Sequence, residues 1–128
     1  MSIMIPVSWG EVFDKLTILE IKSERIDDTN KNINIRKELS EMKEVTESAL
    51  LPEGMGSVIN ALRDINAKLW EIEDSIRDCE RERRFDDEFI QLARAVYFTN
   101  DERAALKKQI NVLMGSEIIE EKSYSPYN

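Results

Sequence analysis

The sequence predicts an all-α protein, an antiparallel bundle of about four helices with an ordered C-terminal tail. Three observations lead there. Val58, Leu62, Ile65, Leu69, Ile72, Ile76 and Cys79 recur at alternating spacings of four and three, the seam of coiled-coil-like packing. Cap residues and glycines interrupt the periodic stretches at short intervals, so successive helices turn back on one another. The composition, 41% apolar and 34% charged, suits helices with charged outer faces. Within 128 residues one core can form without metals or disulfides. No repeat, low-complexity tract or linker divides the chain, so residues 1–128 are expected to form a single helical-bundle domain.

The first helix opens at Ser8-Trp9-Gly10-Glu11, the pattern of a capping box, with Pro6 favouring an extended approach. At roughly 100° per residue, Trp9, Val12, Phe13, Leu16, Leu19 and Ile26 share one arc, with Glu20 near its edge. Ile18 and Ile21 lie on another side, so this helix is expected to be covered on more than one face. Asp27, Asp28, Thr29 and Asn30 offer cap oxygens for a second helix, running to about Leu50 on a weaker stripe of Ile35, Leu39, Met42, Thr46 and Ala49. Lys37/Glu41 and Lys43/Glu47 fit i,i+4 pairs on its outer face. The stretch LPEGMGS, residues 51–57, reads as a loop. The third helix carries the seam to about Arg83, an element near 40 Å long at ~1.5 Å per residue. After a corner at Arg84 and Phe85, Asp86, Asp87 and Glu88 suit the start of a fourth helix, which Gly115 ends as a left-handed cap. Ile118, Ile119, Tyr124 and Tyr127 of the tail are placed to dock on the bundle.

Charge and composition exclude several functions. Eighteen basic and 26 acidic residues give a net charge of -8, which disfavours nucleic acid and anionic membranes as partners. No apolar run approaches the ~20 residues of a membrane span, and the start MSIMIPVSWGE lacks the features of a secretory signal. The chain has no histidine, which removes the usual imidazole base and the common histidine metal sites. Its one cysteine, Cys79, falls on an apolar stripe and reads as a buried, inert thiol in a reducing, cytoplasmic compartment. No cofactor and no metal are expected.

The fourth helix poses the functional question. Phe89, Leu92 and Val96 begin an inward stripe that Ile110 and Met114 finish, and between them the same face carries Asn100, Arg103 and Lys107. An unpaired cation inside a bundle costs several kcal/mol, so negative groups are expected opposite. Glu20, Glu73 and Glu80 are the candidate acids. An antiparallel turn at residues 84–85 sets positions 100–107 level with roughly 62–70 at equal 1.5 Å steps, beside Asn66 and Trp70. Candidate ligand-binding residues are therefore Asn100, Arg103, Lys107, Glu20, Glu73 and Trp70. A satisfied network that fixes helix register is one reading. A small-anion site is another, with Arg103 clamping a carboxylate or phosphate and Lys107 adding a point charge. A polar patch facing solvent or a second copy is the third.

Two enzymatic alternatives have some footing in the sequence. Magnesium-dependent nucleotide pyrophosphohydrolases use paired acidic motifs on neighbouring helices, and Glu44/Glu47 and Glu71/Asp74 have that spacing. In a hairpin turning near residue 54 the two pairs are staggered by roughly 16 Å at a 1.5 Å rise, and Glu71 and Asp74 project away from the seam, whereas magnesium needs converging carboxylates. An isomerase acting by electrostatics alone is supported only by the polar centre itself. No phosphate-binding glycine loop or activated nucleophile appears, so catalytic residues are unassigned.

Four blocks, IPVSWGEVFDKLTILEIKSERI, LWEIEDSIRDCE, ARAVYFTNDERAALKKQIN and EEKSYSPY, resemble in order and spacing a family of short bacterial and phage proteins classed as a domain of unknown function. The second helix and the 51–57 loop match it poorly. The resemblance implies a compact helical protein encoded near genes for surface-glycan synthesis, and it implies no activity. Within the blocks, Glu11, Asp14, Lys15, Glu20, Arg25, Trp70, Glu73, Asn100, Arg103 and Lys107 are the residues to substitute first. The expected role is an interaction or binding module, either self-associating through Ile18 and Ile21 or taking a small anion.

Overall fold

The computed structural model describes residues 1–127; Asn128, the last position of the expected domain, lies outside them. Four helices follow in order: α1 Trp9–Arg25, α2 Thr29–Glu47, α3 Met55–Arg81 and α4 Asp87–Met114. Among the described residues all regular structure is helical. Side-chain pairs across the helices set their directions. Gly10 and Asp14 of α1 meet Asn111 and Arg103 of α4, so these two run antiparallel. Asp14 and Arg25 meet Asn66 and Glu71, so α1 runs with α3. Lys15 reaches Glu38, and Asn32 donates to the carbonyls of Ser23 and Ile26, turning α2 back along α1.

The backbone of α1 approaches all three other helices, α3 and α4 pair along their length, and α2 approaches α1 alone. The first helix is the hub because two of its faces are apolar or small. Phe13, Leu16 and Leu19 join Leu39, Met55, Leu62 and Ile110 in the core, with Trp9, Ile35, Met42 and Met114 packed against it. Truncating a fully enclosed side chain such as Leu62 to alanine removes about 2–5 kcal/mol. The second face, Gly10, Asp14, Thr17 and Ile21, is buried too and steps by four, three and four, as residues facing a pair of helices must.

That second face changes one expectation. Ile21 is only 5% exposed and is covered within this chain, whereas Ile18 is half-buried and lines a cleft with Leu69 and Trp70. Ile21 therefore offers no surface to a second copy.

Helix ends follow local chemistry, with small shifts from the sequence reading. Ser8 Oγ accepts from the Glu11 amide, Asp28 Oδ1 from Lys31 and Asp86 Oδ1 from Phe89. The capping box at Ser8 is one-sided, because the Glu11 carboxylate turns to Lys107 instead. The second helix stops at Glu47, short of Leu50, and neither expected lysine–glutamate pair forms on its outer face among the described residues. The third stops at Arg81, and Arg83 turns the corner with φ 53°. Gly115, at φ 64°, ends α4 as expected, and Ser116 N–H closes the last turn on the Asn111 carbonyl. The tail runs back along α4. Glu120 reaches Lys107, Glu121 reaches Lys108, and Tyr127 bonds to Asp101 while packing edge-on against Phe98. Ile118, Ile119 and Tyr124 stay exposed. No helix is long and apolar enough to cross a membrane.

Candidate functional site

At Gly10 the backbones of α1 and α4 touch. A Cβ there would stand 2.6 Å from the Lys107 carbonyl oxygen and 2.9 Å from Asn111 Oδ1, so only glycine permits this approach. The contact also closes the start of α1, whose first amides have no partner within the helix. Trp9 N–H donates to Ser116 Oγ at 3.0 Å, and Gly10 N–H to Asn111 Oδ1 at 2.6 Å.

One turn along, Asp14 enters the groove between α3 and α4 and is 3% exposed. Its Oδ1 accepts from Arg103 Nε at 2.8 Å and from Asn66 Nδ2 at 3.0 Å, and its Oδ2 accepts from Arg103 Nη2. Asn66 Nδ2 also donates to Thr17 Oγ1 at 2.9 Å, and Thr17 in turn donates to the Asp14 carbonyl at 3.0 Å. The parallel Nε and Nη2 bonds form the two-pronged clamp that a guanidinium makes with a carboxylate. A single carboxylate thereby ties together three helices.

Lys107 lies beside this clamp, its side chain 13% exposed. Its ammonium donates to Glu11 Oε1 at 2.6 Å and Glu120 Oε2 at 3.1 Å, with Asp14 Oδ2 at 4.0 Å. Burial works against its charge, but the bonds to Glu11 and Glu120 outweigh it and raise the lysine above its ordinary range. The bond from Asp14 raises Arg103 in the same way, against partial burial. Glu120 is pulled below the usual carboxylate value by the adjoining Glu11 carboxyl and by Lys107. Two cations thus face three carboxylates.

The residues singled out from the sequence divide into three places. Trp70, Glu73, Asn100 and Arg103 line one cleft of about 570 Å³, floored by Ile18 and Leu69 and edged by Lys22 and Arg77. There Asn100 Oδ1 lies 3.4 Å from Arg103 Nη1, and Glu73 pairs with Arg77 on its own helix. Lys107 opens instead onto a smaller cavity of about 190 Å³ under the tail, with Asn111 and Glu120. Glu20 belongs to neither: it pairs with Arg63 at 3.0 Å. The acids that meet the two cations are Asp14, Glu11 and Glu120, none of which was a candidate partner in the sequence reading of the centre. The signal for Asp14 was its spacing, four after Gly10 and three before Thr17, a seam of small and polar residues that the apolar arc of α1 obscured.

The paired acidic motifs stay apart. Glu44 and Glu47 edge a groove with Ser23, Arg36 and Lys43, while Glu71 pairs with Arg25. Among the described residues no three acidic or cysteine side chains converge as a metal site. Cys79 is buried and free.

No curated protein and no solved structure matches the chain significantly. One family model does, over residues 3–127, and with nearly the whole length covered the chain belongs to the family of unknown function DUF6165.

Proposed function

We propose that this protein is an interaction module, working by docking onto another macromolecule rather than by catalysis. One observation carries the reading: both cations of the polar centre are already paired with carboxylates of this chain. Arg103 spends Nε and Nη2 on Asp14, and Lys107 spends its donors on Glu11 and Glu120. Such a centre holds α1, α3, α4 and the tail in register. An arriving anion would have to displace a buried carboxylate from its clamp, and the net charge of -8 opposes it at long range. The acidic balance also opposes self-association, and Ile21 is buried within the chain. The lone enclosed thiol of Cys79 supports a reducing, cytoplasmic setting.

The second reading is small-anion binding, favoured by the cleft beside Arg103. Trp70, Ile18 and Leu69 give it an apolar floor, and Lys22 at its edge forms no ion pair among the described residues. An organic carboxylate with an apolar body would suit it.

Thermal melting against phosphate, sulfate, nucleotides, sugar phosphates and dicarboxylates, with and without magnesium, separates the two. The interaction reading predicts shifts that follow ionic strength alone. A rise of several degrees specific to one anion, abolished by Trp70→Ala or Lys22→Ala, would replace it with the second reading.

A further inference from the structure

We propose that the partner is a cationic amphipathic segment that docks on the pole of the bundle where α1 begins and α4 ends; this rests on the interaction reading above. The alternating helix directions bring the start of α1, the end of α2, the 48–54 connection, the start of α3 and the end of α4 to one pole. More than half of the exposed large apolar side chains among the described residues belong to the segments gathered there. The extended lead before α1 contributes Ile3, Met4 and Ile5, the connection contributes Leu50, and the end of α4 and the residue stretch after it contribute Val112 and Ile118. Leu50 is 95% exposed and Met4 92%. Apolar side chains so concentrated mark a binding surface more often than chance does.

Charge selects the occupant. Residues 44–57 hold three glutamates, Glu44, Glu47 and Glu53, and no lysine or arginine; beyond α4, Glu117 adds a fourth, while Glu120 and Glu121 are already paired with Lys107 and Lys108. Glu47, Glu53 and Glu117 form no ion pair among the described residues. The pole is therefore apolar with an acidic rim. A second copy would bring the same acids against it, and an anionic bilayer would be repelled likewise. A helix with an apolar stripe flanked by lysine or arginine satisfies both features at once. The far tip of the α3–α4 hairpin serves as the internal control, because its six acids, Asp78, Glu80, Glu82, Asp86, Asp87 and Glu88, stand among three arginines, and Arg81 and Arg84 pair with four of them.

The test is fluorescence anisotropy of a labelled 20-residue leucine–lysine amphipathic peptide titrated with the full chain, beside the same peptide with glutamate for lysine. The expected result is saturable one-to-one binding of the lysine peptide alone. Binding should weaken at least tenfold both in the triple variant Ile5→Ser/Leu50→Ser/Val112→Ser and in Glu47→Gln/Glu53→Gln/Glu117→Gln. Circular dichroism melts establish that both variants are folded, and Ile33→Ser, an exposed apolar position near the start of α2 at the opposite end of the bundle, leaves binding unchanged. Equal loss from Asp86→Asn/Asp87→Asn/Glu88→Gln at the far tip would reduce the effect to bulk charge attraction and overturn the site. Adsorption to phosphatidylcholine vesicles, or self-association in sedimentation, abolished by the apolar triple variant would overturn it by assigning the pole to a bilayer or a second copy. Saturable peptide binding indifferent to both pole variants would overturn the pole while sparing the interaction reading. No saturable binding, together with an anion-specific thermal shift lost in Trp70→Ala, would overturn both.

Discussion

Asp14 shows what a buried charge needs at the scale of one residue. Its carboxylate oxygens are taken up by Arg103 and Asn66, so the loss of one partner leaves the rest stranded. Arg103→Ala is expected to destabilise the fold by about 3 kcal/mol, the lower end of the range for breaking a buried pair, because the guanidinium keeps 29% exposure. Asp14→Ala should act in the same direction. Replacing both, as Asp14→Leu/Arg103→Met, removes the desolvation of both ions together and is expected to restore most of the loss. Urea unfolding of the four proteins measures the coupling, and simple additivity of the single losses would refute it. The cations were readable in the sequence because they break an apolar stripe on α4. Asp14 was not, being one of 26 acidic residues and lying off the arc defined by Phe13 and Leu16. Glu20, on that arc, looked better placed but faces Arg63.

Between elements, the closest approach is that of α1 to α4 at Gly10, where the obstacle to a side chain is a backbone carbonyl that cannot swing aside. Gly10→Ala is expected to cost about 1–3 kcal/mol through overpacking. Gly56→Ala is the matched control, since nothing stands within 4 Å of its Cβ position; it should be neutral or stabilising by up to about 1 kcal/mol. Thermal melts that rank the two alike would deny the contact. The tail is held by titrating groups with opposite signs of pH dependence. Glu120, lowered by Glu11 and Lys107, contributes fully above its unfolded value near 4.5 and loses that contribution as pH falls through the depressed folded value. Tyr127 is pushed up to about 12 by its bond to Asp101. Its contribution is therefore full below its unfolded value of 10.0 and fades as pH rises from there toward about 12. Limited proteolysis or tail resonances followed against pH should show docking across the neutral range and release at both extremes. Tyr127→Phe should remove the tyrosine's share of the alkaline release and leave that of Lys107, whose pKa lies above its ordinary 10.5, with the acid transition unchanged. A tail equally mobile at neutral pH would contradict this picture. Tail docking was legible in Tyr127 but not in Ile118, Ile119 or Tyr124, which stay exposed, and its route was hidden because it depends on single ion pairs with Lys107 and Lys108.

For the molecule as a whole, periodicity carried the helix count, the long α3–α4 hairpin and the level at which Asn66, Trp70, Asn100 and Arg103 meet. Such features follow from a fixed rise per residue and from caps local to each turn. What periodicity could not supply was which face meets which neighbour. The second buried face of α1, with Ile21 at its end, looked like an outward surface because its partners lie 50 to 100 residues away. The acidic, apolar pole was equally hidden: it is assembled from the lead before α1, the 48–54 connection and the end of α4, and only the helix directions bring them together.

The bonds at the start of α1 span almost the entire chain: Trp9 to Ser116 across 107 positions and Gly10 to Asn111 across 101. A polypeptide leaving the ribosome amino end first would hold those two amides without their protein partners until residues 111–116 had been translated. Folding of the hub then waits for the end of α4, and a product terminated before Asn111 lacks the groups that finish its first helix. The architecture in effect makes closure of the first helix depend on the arrival of the fourth.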